Sequence, residues 1–266
     1  MGKLRADLLL VEQGLAQTRT RAQSLILAGV VLDQDGHRVD KAGTMLKMET
    51  VLRLQNNPIP YVSRGGLKLK AALDTFTLDL RDKVCLDVGA STGGFTDCVL
   101  KSGARKVYAL DVGVNQLAWI LRNDSRVKVF EKTNIRTCAE DLISEPCDFL
   151  CIDVSFISLR LVLGSALRFT SPQAEIVALI KPQFEVGKGD VGKGGIVRDP
   201  EARQEVVEAL HRYFWEQGLE ALKCMASPIL GAKGNKEFLI YGKRATRKDL
   251  GDKDYPKVDL GREFYL

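Results

Sequence analysis

The 266-residue sequence holds only two histidines, His37 and His211, and six cysteines with no CxxC pair among them. Histidine is the side chain best matched to proton exchange near neutral pH, so its scarcity moves any acid–base chemistry onto lysines, carboxylates or hydroxyls. His37 follows the turn-like DQDG and His211 sits mid-helix in VVEALHRYFW, which read as surface and packing positions. Cys85, Cys98, Cys138, Cys147, Cys151 and Cys224 are scattered, most of them inside apolar strings such as VCLDV and DFLCIDV. Cysteine there behaves as a small hydrophobe, which disfavours both disulfides and a zinc site. No apolar run comes near the ~18 residues of a spanning helix. The opening MGKLRADLLL reaches Glu12 and Gln13 too soon for a secretory signal. These absences predict a cytoplasmic protein with no membrane span and no metal.

What is present is average globular composition, 45% hydrophobic and 27% charged, with a net charge of +5 that suits a polyanionic partner without requiring one. The chain divides by pattern. Residues 1–55 read as a small α+β unit: RADLLLVEQGL and RTRAQSLILAG are helices stopped by Gly14 and Gly29, followed by short strands VVL, HRV and TVLRL. Residues 56–62, with two prolines, are a linker. Residues 63–243 alternate helices and apolar strands. A helix from Ser63 through Leu73 precedes the strands KVCLDV, KVYALDV, RVKVF, DFLCIDV and AEIVALI. Helices GFTDCVLKSG, NQLAWILRN, one within SLRLVLGSALRF, and PEARQEVVEALHRYFWEQG lie between and after them, and the closing pair is ALKCMASPI and KEFLIYGK. Strict alternation indicates an α/β, Rossmann-like parallel sheet covered on both faces. QFEVGKGDVGKGG is too glycine-rich for either element and reads as a mobile loop, and residues 244–266 as a charged, solvated tail.

The segment LDVGASTGGFTD, residues 86–97, joins a buried strand to a helix at the carboxyl end of the sheet, where open α/β sheets bind ligands. Gly89, Gly93 and Gly94 permit a tight turn and close approach to a ligand, though an ordinary strand-to-helix turn shares this composition. With Ser91 and Phe95 they form the candidate cofactor loop. Its GxxxGG spacing departs from the GxGxxG that seats a pyrophosphate on a helix N-terminus. Asp87, at the strand end, can fix a cationic amino-acid group. Asp111 ends the next strand 22 residues beyond Gly89, where an acid takes both hydroxyls of an adenosine ribose. A ligand with a ribose and an amino-acid moiety but no phosphate is S-adenosyl-L-methionine. Asn134, after the third strand, is a candidate for the adenine or a plain turn residue.

A second constellation occupies the remaining strand ends. Asp153 ends DFLCIDV, Lys181 ends EIVALIK, Glu237 begins the last strand EFLIYG, and Lys68 lies on the helix ahead of the cofactor strand. In doubly wound order Asp153 and Lys181 meet at the carboxyl edge, and an antiparallel last strand brings Glu237 to it. A second ammonium nearby and partial burial both disfavour a lysine's charge, so Lys181 can accept a proton while Asp153 and Glu237 position it. Surface salt bridges explain the same four residues equally well. DVSF is not the Pro-Pro-aromatic sequence of amino-group methylation, and Cys151 points into an apolar strand, which leaves a hydroxyl oxygen as the methyl acceptor.

On these residues the chain resembles a known family. Arg5, Leu15, Thr18, Arg19, Ala22, Gly29 and Val30 are similar to an S4 RNA-binding domain. YVSRGGLKL, CLDVGASTGGFT, LDVGVNQLAW, DVSFISL, LIKPQFEVGKG and KEFLIY are similar to the FtsJ-like ribose 2'-O-methyltransferases. In this order they resemble the TlyA, or haemolysin A, family from about Arg5 to Tyr241. The resemblance implies S-adenosylmethionine-dependent methylation of cytidine 2'-hydroxyls in ribosomal RNA, in 16S, 23S or both, by a tetrad that falls on Lys68, Asp153, Lys181 and Glu237. Lys70, two residues from Lys68, is separated from it only by the motif. Lys3, Arg5, Arg19 and Arg21 would neutralise phosphates, and Arg64 would add charge near the active face. The expected partner is ribosomal RNA or a ribosomal subunit. A non-catalytic ribosome-assembly factor and a cytolysin are the competing readings.

Overall fold

A computed structural model describes residues 2–27, 29–55, 59–187, 191–192, 194–245 and 255. The expected tail lies outside the described residues except for 244, 245 and 255, as do 56–58 of the linker and 188–190 and 193 of the glycine-rich loop. The chain forms two compact units, Met1–Arg64 and Gly65–Leu266.

In the first unit β1 (Lys3–Arg5), α1 (Ala6–Glu12), α2 (Arg19–Leu27), β2 (Val31–Leu32), β3 (Met45–Lys47) and β4 (Arg53–Leu54) follow one another. Leu9 and Leu10 of α1 and Ala22, Leu25 and Ile26 of α2 close on Val31, Val39 and Leu52 to make its core. Strand β1 pairs antiparallel with β3, and β2 with β4. The β1–β3 pair was not expected: three residues carry no alternation to read, and pairing across about forty residues of chain is invisible locally.

The second unit contains α3 (Gly65–Phe76), β5 (Val84–Val88), α4 (Gly94–Lys101), β6 (Lys106–Leu110), α5 (Trp119–Arg122), β7 (Val127–Phe130), β8 (Cys147–Ile152), α6 (Leu163–Leu167), β9 (Thr170–Ile180), α7 (Pro200–Glu216), β10 (Leu219–Ala226) and β11 (Phe238–Arg244). The sheet order is β10-β11-β9-β8-β5-β6-β7. The β9, β8, β5, β6 and β7 pairings are parallel, and β11 runs antiparallel to both β9 and β10. This is the Rossmann-like α/β sheet expected, and β5, buried at every position, reads as the uninterrupted apolar run of a strand covered on both faces. The β8–β9 register shifts after Cys147, near Pro172, which has no N–H to give the ladder.

Three helices differ from expectation. The helix expected over NQLAWILRN shortens to Trp119–Arg122, because Asn115 takes a φ of 56° and Ala118, at a ψ of 139°, is extended, so the chain coils only after it. Within SLRLVLGSALRF the chain forms a 3-10 turn at Leu159–Leu161 and then α6, with Val162 at a φ of −107° between them, and Glu185 caps the start of the turn by accepting from the Ser158 hydroxyl (2.6 Å) and the Leu159 N–H (2.8 Å). Helix α3 begins at Gly65 and runs on to Phe76, which stacks on Tyr241 of β11 with ring centroids 5.5 Å apart.

Helix α7 starts where Asp199 accepts from the Glu201 N–H at 3.0 Å with Pro200 in the first turn. It turns Val206, Val207, Leu210, His211 and Phe214 inward. His211 is buried, its Nδ1 is 2.8 Å from the Tyr255 hydroxyl, and burial pulls its pKa down to about 4. Because the folded value is depressed below the ~6.5 of an unfolded chain, unfolding takes up a proton in between. Stability is therefore whole above pH 6.5 and falls as pH drops toward 4, by roughly 3 kcal/mol at most. Urea unfolding of His211→Phe across this range should show that decline flattened.

Candidate active site

Neighbouring strands bring the predicted residues to one edge. Val88 of β5 pairs with Ile152 of β8, and Ile152 with Ala178 of β9, so Asp153 and Lys181 both lie just past the carboxyl ends of adjacent parallel strands. The Asp153 N–H donates to Val88 O at 3.0 Å, holding the exit of β8 against β5. Because β11 is antiparallel and Phe238 pairs with Ile180, Glu237 emerges at that same edge.

Two lysine–carboxylate pairs result. Lys181 Nζ lies 2.6 Å from Asp153 Oδ1 and donates to Ser155 Oγ at 2.9 Å. Lys68 Nζ donates to Glu237 Oε2 at 2.5 Å, and both of these side chains are buried. Lys68 shares the inward face of α3 with Leu69, Ala72, Leu73 and Phe76. Lys70, two residues on, points to solvent and pairs with Asp74 one turn along. Geometry thus separates the two lysines that the sequence left to the motif.

The glycine loop lies one strand over. Gly89 has a φ of 86°, and a Cβ there would stand 2.4 Å from the Asp153 carbonyl oxygen. Gly93 has a φ of 94°, and a Cβ would meet Leu121 and Leu117. Phe95 is buried behind the loop in α4, which begins at Gly94. Asp87 is fully buried: its Oδ2 accepts from the Thr96 hydroxyl at 2.6 Å, while Oδ1 has no N–H or O–H donor among the described residues. Burial, with Asp153 nearby, pushes this carboxyl up to about 7. Asp111 accepts from the Ser91 N–H at 2.7 Å and the Gly113 N–H at 2.6 Å, so it braces the loop. Asn134 is an exposed turn residue whose side-chain oxygen takes the Arg136 N–H at 3.0 Å, just past β7 on the same edge. Cys151 is buried and its thiol is pushed well up by desolvation, which removes it as a nucleophile.

Two features were not read from the sequence. Phe156 is 90% exposed, has a φ of 64°, and lies 5.0 Å from Phe184, centroid to centroid. A solvent-facing phenyl held in a strained turn just past Asp153 is a ready stacking surface. The signal was DVSF itself, an aromatic straight after a strand end. The second is Asp7 of the first unit, which is buried. It takes a bidentate contact from Arg5 (3.0 Å to each oxygen), one from Arg19 (2.9 Å) and one from Gln23 (2.8 Å), and these hold its carboxyl far below the usual carboxylate range. Arg5 and Arg19, expected to neutralise phosphates, are both held by this one carboxylate. Lys3 and Arg21 are exposed, and Arg64 is half-buried and engaged.

Among the described residues no helix is long and apolar enough to cross a membrane. The FtsJ-like methyltransferase family matches residues 61–244. YqxC of Bacillus subtilis (strain 168) is 47% identical over 90% of this chain and 85% of its own length. The 16S/23S rRNA (cytidine-2'-O)-methyltransferase TlyA of Mycobacterium tuberculosis is 44% identical over 94% of each chain. A solved structure from Streptococcus thermophilus that carries the hemolysin name is 41% identical and superposes with a TM-score of 0.72 over 99% of this chain and 94% of its own. The chain therefore belongs to the FtsJ-like methyltransferases and, within them, to the TlyA relatives.

Proposed function

We propose that this protein methylates the ribose 2'-hydroxyl of cytidine in ribosomal RNA, in the cytoplasm, using S-adenosylmethionine, with Lys181 taking the hydroxyl proton. The observation that carries the reading is the pairing of Asp153 with Lys181 and of Lys68 with Glu237 on one sheet edge beside the glycine loop. The names of the TlyA relatives support the substrate.

The residues fit the cofactor. Asp87 Oδ1, buried without an N–H or O–H donor, suits an ammonium group. Gly89, Gly93 and Gly94 offer a backbone cradle without side chains of their own, Ser91 adds a hydroxyl to it, and Phe95 backs it. Asp111 retains lone pairs for ribose hydroxyls beyond its two amide contacts, and Asn134 would border the adenine. When bound, S-adenosylmethionine supplies a methyl group on a sulfonium, an electrophile needing only an activated oxygen. Lys181 would take the 2'-hydroxyl proton as that oxygen attacks, and Asp153 would orient its amine. Lys68, positioned by Glu237, would turn a remaining ammonium N–H toward the developing alkoxide. Phe156 would stack on the exposed base, the way single-stranded nucleotides are held. The first unit, as an S4-type module over residues 1–55, would supply phosphate contacts through Lys3, Arg5, Arg19 and Arg21, with Arg64 adding charge.

The test is a map of 2'-O-methyl groups in ribosomal RNA from cells with and without the protein, repeated with purified protein, ribosomal subunits and S-adenosylmethionine. The expected result is cytidine ribose methylation that appears only with the protein. Methylation on a base, or none, would overturn the reading.

A further inference from the structure

We propose that Ser155 is a positioning residue for Lys181, fixing the direction in which its amine faces the substrate hydroxyl. The inference rests on the reading of Lys181 as the base.

An amine nitrogen has four tetrahedral directions, one of which is its bond to Cε. At Lys181 one of the remaining three is taken by the hydrogen bond to Ser155 Oγ at 2.9 Å, while Asp153 Oδ1, 2.6 Å away, lies outside hydrogen-bond geometry and holds the nitrogen by charge. In the neutral amine one N–H is then fixed on Ser155 Oγ, the Asp153 charge favours the second N–H on its own side, and the lone pair is left in the third direction, where a substrate O–H must donate. With Asp153 alone, held by charge and not by a directed hydrogen bond, the amine could turn about its Cε–Nζ bond, and the lone pair would be spread over several orientations. The Ser155 hydrogen bond selects one.

The fold places Ser155 for this. Its segment is pinned at the start by the Asp153 N–H on Val88 O (3.0 Å) and turned at Phe156 by a φ of 64°. Phe156 lies against Phe184, and Phe184 belongs to the turn that Lys181 begins, its N–H donating to Lys181 O at 2.9 Å. The aromatic contact thus ties the turn after β8 to the turn after β9, and the hydroxyl and the ammonium are the side chains that meet across them. Ser155 is itself exposed, so its hydroxyl does not fill the core, and removing it leaves the packing as it was.

The experiment uses the full chain, ribosomal subunits lacking the modification and S-adenosylmethionine, with Ser155→Ala, Ser155→Thr and Lys181→Ala measured side by side. Ser155→Ala should lower kcat by about tenfold, the effect of one directing hydrogen bond, with KM for subunits and for cofactor within about twofold. Ser155→Thr, which keeps the hydroxyl, should restore most of kcat. An alanine variant with normal kcat, one that raises only KM, or a threonine variant no better than alanine would overturn the positioning role while Lys181→Ala remains inactive. An active Lys181→Ala would instead overturn the reading on which the proposal stands.

Discussion

Lys181→Ala is expected to lower methyl transfer by on the order of a thousandfold, within the range that a positioned general base contributes. Its thermal unfolding and cofactor affinity should stay near those of the parent chain. The separation of effects follows from where the lysine sits. Lys181 ends at the sheet edge, and although the Asp153 Oδ1 that faces it is buried, the Asp153 side chain is 22% exposed overall, so the carboxylate left behind in the variant keeps contact with water. The other lysine is a poorer probe. Truncating Lys68 would strand the buried Glu237 carboxylate, a defect of about 3–5 kcal/mol, so lost activity would be mixed with lost fold. Single-turnover methylation with saturating cofactor, alongside calorimetric cofactor binding, checks the prediction. A Lys181→Ala enzyme within tenfold of the parent rate would mean that the proton leaves by another route.

The residues on the sheet edge were legible because a parallel sheet turns sequence into position: each apolar strand ends at the same edge, so the polar residue that follows it lands there. Asp111, Asp153 and Lys181 all follow that rule, Asp87 is the last residue but one of its own strand, and Glu237 follows the rule in reverse because its strand is antiparallel. Lys68 is on a helix, where face is decided by packing. Only the contact of α3 with β11, marked by Phe76 on Tyr241, distinguishes it from Lys70. What could not be read depends on side chains meeting across distant segments. Asp7 looked like an ordinary acid in RADLLL until Arg5, Arg19 and Gln23 converged on it. The short α5 depended on a positive φ at Asn115 and an extended Ala118 that composition does not announce. Glu185, in the segment after β9, caps the turn at Leu159–Leu161, a pairing that no local pattern shows.

The glycine loop gives the second large effect. Gly89→Ala is expected to weaken S-adenosylmethionine binding by on the order of a hundredfold, about 2.7 kcal/mol, and to make methylation hard to detect. Two costs combine. A non-glycine residue held at a φ of 86° is unfavourable by about 1–2 kcal/mol. The new Cβ would also stand 2.4 Å from the Asp153 carbonyl oxygen, so the exit of β8 must move away from the exit of β5. That displacement acts on both halves of the site. It opens the Asp153 N–H contact with Val88 O and shifts the carboxylate that lies 2.6 Å from Lys181. Cofactor binding and the proton-accepting pair should therefore fail together, unlike Lys181→Ala, which leaves the first intact. Equilibrium dialysis of the cofactor measures the first loss. A Gly89→Ala protein that binds the cofactor normally yet does not methylate would place the damage at Asp153 alone, and one that does both normally would show that this turn approaches no ligand.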